Sequence, residues 1–452
     1  MTYHSRVQAF IVTALLILAI TSLGVVDAIS RPGTRQPASV QPFAGILDEH
    51  PAIQYASRPT RDRISTLVRE IAEGRTTLAF DDRSGYLPSV VSALGLSFES
   101  QLLVFSKTGI QSAVTSPQNP RAIYFDESVV VGFIPGARAL ELAAHDPEQG
   151  VVFFTIDQTA TPAPQIVRRT DCLSCHVSAN TLEVPGMIHR SNVLSGDGQV
   201  LPMLGSHTVD HRTPITQRWG GWFVTGRYTR PPYDGSGHLG NVTVAIHPTS
   251  GSAATSNEVF VEWLNSNAPA RGYASHNSDV ATLMVFDHQM HAINLITRLQ
   301  WEARVAAAAG RADFSQGVLR QFVDELMDYL LFVDEVAPPG KVTPREGFAT
   351  WFTRSGPRDR RGRSLRELDL DRRLLRYPCS YMIHSAAFDA LPPDAKRAVY
   401  DRMWMALGSE TGESRYSYLT PDDRRAIVEI LRDTKSDLPD SWRRDSTGTV
   451  PQ

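Results

Sequence analysis

Three cysteines occur in the 452 residues, at positions 172, 175 and 379, and two of them stand in the run Cys172-Leu173-Ser174-Cys175-His176. Cys-x-x-Cys-His is the spacing that attaches a haem covalently. Two thiols add across vinyl groups on neighbouring pyrroles, the two intervening residues give that separation within one turn, and the next histidine offers its imidazole to the iron. On this reading Cys172 and Cys175 hold one haem c and His176 is the proximal iron ligand. Met187 is the first candidate for the second axial ligand, because Val184-Pro185-Gly186-Met187 supplies a turn eleven residues after His176. Eleven extended residues reach roughly 36–40 Å, enough to pass the edge of a macrocycle. A thioether there raises the reduction potential, as suits an electron carrier. Packing of Met187 on the haem face is the plainer alternative. Met203, His207, His211 and His288 are the other candidates.

Two rival chemistries share the same five residues. A structural zinc site needs two further ligands, for which His207 and His211 are at hand in a loop. A dithiol–disulfide redox motif fits an oxidising compartment, but no βαβ pattern precedes Cys172. Cys379, in Tyr377-Pro378-Cys379-Ser380-Tyr381, has bulky neighbours and reads as a buried, inert thiol. No phosphate-binding loop, Gly-x-Ser-x-Gly elbow or His-Glu-x-x-His helix is present.

The elements that must position these residues follow from periodicity. The first 28 residues hold an uncharged apolar run from Phe10 to Val26 and a small-residue stop at Val26-Asp27-Ala28, and predict a signal peptide, with an uncleaved membrane anchor as the alternative. Residues 29–120 read as an extended lead-in followed by short helices over 61–74 and 87–94 and a strand over 101–106. Region 121–275 is β-rich and bears the motif. Strand-like runs at 122–125, 129–134, 139–144 and 151–156 are separated by turn residues and predict an antiparallel meander. Two more strands are expected at 222–228 and 241–246, within a long irregular stretch that would wrap a haem.

Region 276–452 is helical, with a long helix capped by Ser278 and running to about residue 308. On it Met284, His288, His291, Leu295 and Leu299 form one stripe, so His288 faces the core. Further helices are predicted over 315–333, 392–406 and 421–432. Arg190, Arg212, Arg218 and Trp219 are candidate partners for haem propionates, while His189 and His238 read as loop residues. The run Arg358, Arg360, Arg361 and Arg363 offers a surface for an acidic redox partner, or a solvated loop. The fold class expected is α+β, with the meander ahead of the haem loop and a helical C-terminal half. Formal charge is −3, from 45 Lys+Arg against 48 Asp+Glu, so no global field attracts nucleic acid.

Several segments carry a resemblance beyond the motif itself. They are SQLLVFSKTGIQ, NPRAIYF, VVVGFIPG, DCLSCHVSANTLEVPGMIHRS, DHRTPITQRWGGWFVTG, HLGN and YPCSYMIHSAAFDALPP. In these the chain resembles a family of exported bacterial mono-haem cytochrome c-type proteins, over residues 85 to 435. The resemblance implies a periplasmic haem protein and assigns roles only to Cys172, Cys175 and His176. More than a hundred residues precede the motif, so the fold of the small class I cytochromes c is not expected. The function expected is electron transfer by a periplasmic c-type cytochrome with an unidentified redox partner protein. The alternative is a haem enzyme, of peroxidase or oxygenase type, with a labile sixth iron position.

Overall fold

The computed structural model describes residues 49–228, 271–338, 340–345, 347–408 and 413–443. The N-terminal segment, the strand expected at 241–246 and His238 lie outside them. The architecture is α+β: an antiparallel sheet in the N-terminal half and mostly helices in the C-terminal half.

Helix α1 (Arg63–Ala72) starts where the Asp62 side chain accepts a bond from Ser65 N, and turns Ile64 and Leu67 inward. It stops at Gly74, whose φ of +69° a side chain would resist. With α2 (Leu87–Ala93) it covers one face of a six-stranded sheet. The strands are β1 (Leu102–Val104), β2 (Arg121–Phe125), β3 (Val129–Phe133), β4 (Ala139–Asp146), β5 (Gly150–Asp157) and β6 (Ile166–Arg169). They pair in sequence order, each antiparallel to the next. The core face carries Ala122, Tyr124, Val129, Val131, Leu140, Leu142, Val152 and Phe154, all buried. The alternation is the period-2 pattern of a sheet whose two faces have different partners.

Three elements differ from expectation. Strand β6 carries no strand signal in the sequence, because its four residues form an edge with no buried member and hence no apolar alternation. Residues 222–228 do not form one strand. Phe223 N bonds Leu103 O (2.9 Å) and Phe105 N bonds Gly221 O (2.8 Å) at the free side of β1, and only Arg227–Tyr228 pairs, with Val342–Thr343. After the single helical turn α3 (Leu173–His176), the long helix, α4 (Val280–Ala308), is capped by Asp279, whose carboxylate accepts from Ala281 N (2.8 Å). Ser278 instead joins the helix start to the sheet: its hydroxyl accepts from Leu103 N (3.0 Å) and donates to Phe223 O (2.7 Å).

Helix α4 is buried on nearly every side, as a central helix must be. It crosses the second sheet face, where Phe286 meets Phe125 edge-on at 4.8 Å between ring centroids. Thr297 Oγ1 lies 3.1 Å from His145 Nε2 of β4. The outer helices Gly317–Leu330, Pro393–Gly408 and Pro421–Thr434 pack around it in turn. The arginine-rich stretch is fastened to the last of these: Arg360 to Asp433, Arg361 and Arg363 to Glu429, Arg373 to Asp423. These guanidinium groups make intramolecular ion pairs, and Arg360 and Arg361 keep 89% and 68% of their side chains exposed. Among the described residues no helix is long and apolar enough to cross a membrane.

Candidate functional site

The Cys-x-x-Cys-His run directly follows β6 and forms a single helical turn, Leu173–His176, with Cys172 at its start. Cys175 is exposed and Cys172 half-buried, and both are free thiols. Burial pushes the Cys172 thiol up, with Asp171 adding to it. That is the reverse of the lowered thiol a dithiol redox centre relies on.

His176 lies against Phe153 of β5, with ring centroids 4.5 Å apart. Its Nδ1 is 2.8 Å from the carbonyl oxygen of Gly186. A carbonyl only accepts, so Nδ1 carries the proton and donates, and the lone pair is on Nε2. Among the described residues no hydrogen bond occupies Nε2. Burial lowers the imidazole below its ordinary value, against the opposing pull of the Gly186 carbonyl, which favours the neutral ring a metal ligand must be.

The sheet face beneath this histidine is the one opposite the α1–α2 core. Strand register puts Phe153, Ala143 and Val130 in one row across it and Val167, Thr155, Glu141, Gly132 and Ile123 in the next. Ile123 and Val130 are only partly buried and Val167 is 53% exposed. The apolar row of Phe153, Ala143 and Val130 beside the imidazole and two free thiols is suited to one side of a flat, largely apolar group.

The loop after the motif is held by polar residues of α4 spaced along one side. Arg298 Nη1 donates to Leu182 O (2.7 Å). Asn294 grips the backbone of Met187 with two bonds of 2.8 Å, accepting from its N–H and donating to its carbonyl. His291 Nε2 is 3.2 Å from Arg212 Nη2. Asp287 receives Trp219 Nε1 (3.0 Å) and Arg218 Nη1 (3.3 Å), and His189 Nδ1 lies 2.7 Å away, although neither ring nitrogen of His189 is aligned for a hydrogen bond. Residues 287, 291, 294 and 298 recur at intervals of three to four positions and so share one side of the helix, a spacing that was present in the sequence as a signal.

The other candidate ligands are dispersed. Met203 is 96% exposed. His207 is exposed and bonded to Gln217 O at 2.9 Å. His211 and His288 share a 2.8 Å Nδ1–Nδ1 contact in a buried aromatic box with Tyr329 and Phe332. His288 Nε2 is also 2.6 Å from Ser380 Oγ. One Nδ1 of the pair must be unprotonated for that contact to be a hydrogen bond. Burial accordingly drives His211 well below its ordinary value and His288 down to about 3. His207 and His211 therefore do not join the two cysteines in a zinc site, and no cluster of three or more metal-ligating side chains exists among the described residues.

Of the four propionate candidates, Arg218 and Trp219 are committed to Asp287, and Arg212 to Asp210 and the face of Tyr329. Arg190, half-buried, makes no ion pair among the described residues. Sequence reasoning overlooked Arg121, which with Glu141 lies close enough to His176 to act on its titration. No family model, curated protein or solved structure matches the chain.

Proposed function

We propose that the chain is an exported c-type cytochrome of the mono-haem family that its sequence resembles, with one haem joined to Cys172 and Cys175 and bound through His176. The reading places it in the periplasm and gives it electron transfer as its role. One observation carries the haem assignment: the Gly186 carbonyl orients His176 so that Nδ1 is used and Nε2 is free, within one turn of two free thiols. A bound haem would supply a one-electron couple. The chain would supply the thiols, the oriented imidazole and the apolar row of Phe153, Ala143 and Val130, with Arg190 as the remaining propionate candidate.

The test is the mass of intact protein matured in a host competent for c-type haem attachment. One added haem that survives acid–acetone extraction is expected, and it should vanish in the Cys172→Ala/Cys175→Ala double variant. An unmodified mass in the wild type would overturn the proposal.

A haem enzyme with a labile sixth iron position is the second reading, and the backbone of Met187 favours it. That residue is joined directly to the carbonyl behind the imidazole and pinned there by Asn294, so its side chain starts on the side of the ring facing away from Nε2. Were Met187 to serve as a ligand, its side chain would have to reach round to the Nε2 side. Carbon monoxide binding to the reduced protein, unchanged in Met187→Ala, is the outcome for the enzyme. A low-spin spectrum indifferent to carbon monoxide is the outcome for the carrier.

A further inference from the structure

We infer that Asn294 is a positioning residue for the His176 imidazole, acting through the one peptide group that joins Gly186 to Met187. The inference that this tunes an iron centre rests on the haem reading above; the placement of the ring by Asn294 does not.

The geometry is a relay in three links. Asn294 Oδ1 accepts the Met187 N–H at 2.8 Å. The carbonyl of that same peptide, belonging to Gly186, accepts the His176 Nδ1–H at 2.8 Å. Asn294 Nδ2 donates to the next carbonyl, of Met187, also at 2.8 Å, so the amide of Asn294 is fixed at both ends and cannot turn away. A peptide whose N–H is engaged is a stronger acceptor at its oxygen, because each bond polarises the next. The Asn294 side chain, 1% exposed, does this away from water, where such polarisation is largest.

Other contacts keep the peptide at its distance from the ring. Gly186 N donates to His176 O (3.1 Å), and Val151 N of β5 donates to Pro185 O (3.0 Å). A Cβ at residue 186 would overlap the Asn294 amide, so the approach requires glycine there. An imidazole whose Nδ1–H is drawn toward a strong acceptor is more basic at Nε2. Iron held by such a nitrogen favours its oxidised state, which lowers the reduction potential.

The test compares full-length Asn294→Leu and Asn294→Ser with the wild type and with Thr297→Val. Thr297 lies one turn further along α4 and bonds His145, not the 186–187 peptide. Expected is a higher reduction potential in both Asn294 variants at unchanged covalent haem content, with Thr297→Val at the wild-type value. The serine variant, small and polar, covers the case in which leucine prevents folding. Unchanged potentials, or an equal rise in Thr297→Val, would overturn the inference.

A second readout needs no haem. In the Cys172→Ala/Cys175→Ala protein with ¹⁵N-labelled histidine, the His176 Nδ1–H should exchange with solvent faster once Asn294 is replaced. Equal exchange rates refute the placement of the ring. A wild type without covalent haem, but with the expected exchange difference, refutes the cytochrome reading and leaves the placement standing.

Discussion

His176 owes its orientation to a carbonyl ten positions downstream, and that carbonyl is available only because residue 186 has no side chain. Gly186→Ala forces a methyl group into the Asn294 amide. The expected cost is about 1–3 kcal/mol, read as a lower urea midpoint at unchanged m-value, with the His176 environment disturbed as well. Cys379 is the opposite case, a residue with reactive chemistry and none to perform. It is fully buried, and burial alone pushes its thiol far up, so the reading of an inert thiol from its bulky neighbours agrees with its surroundings. Met187 shows what chain length alone leaves open. Chain length permits it to pass around a macrocycle, but two bonds from a residue 107 positions away hold its backbone behind the histidine.

The long helix Val280–Ala308 does the positioning. Its apolar residues bury against the sheet and the outer helices, and four of its polar ones, Asp287, His291, Asn294 and Arg298, each hold a piece of the loop that follows the motif. Asp287 holds the most, with Arg218, Trp219 and His189 around a carboxylate that has no exposure. Such a group is costly to bury and costlier to remove, since removal strands a guanidinium in the interior. Asp287→Ala is expected to lower stability by about 3–5 kcal/mol, with loss of the ordered 211–219 segment seen as faster amide exchange there. A fall under 1 kcal/mol would mean that the Thr213 and His211 carbonyls, which also accept from Arg218 at 2.7 Å, suffice for it. The stripe that periodicity marks, through Met284, His288 and His291, does face inward. What periodicity does not distinguish is that His288 meets another histidine and His291 an arginine.

The sheet half and the helical half meet where His145 of β4 faces Thr297. Burial holds the His145 imidazole down at about 4, only partly offset by Asp146. The unfolded chain takes up a proton near the ordinary histidine value of about 6.5, whereas the folded chain does not until pH nears 4. This residue therefore contributes stability that is present above pH 6.5 and is lost as the pH falls from there toward 4. Other buried groups titrate in the same window with both signs, so the informative quantity is a difference between proteins. His145→Gln should lose stability less steeply than the wild type across that window, by roughly 1 kcal/mol per pH unit, in urea unfolding at pH 6.5, 5.5 and 4.5. Identical slopes would show that the junction admits water to the ring.

Turn chemistry, periodicity and the Cys-x-x-Cys-His spacing are properties of short windows. For that reason the order of elements, the α+β class, the strand runs of the meander and the Cys-x-x-Cys-His run could all be read along the chain. Even locally the reading stopped at elements with no buried face, such as Ile166–Arg169, and at a cap where adjacent Ser278 and Asp279 compete for one role. Which carbonyl faces His176, which helix residue holds that carbonyl, and which histidines are already spoken for depend on segments about a hundred residues apart brought together by burial. Spacing states what a set of side chains is able to do. Only packing decides which polar groups are enclosed without water and must therefore satisfy one another.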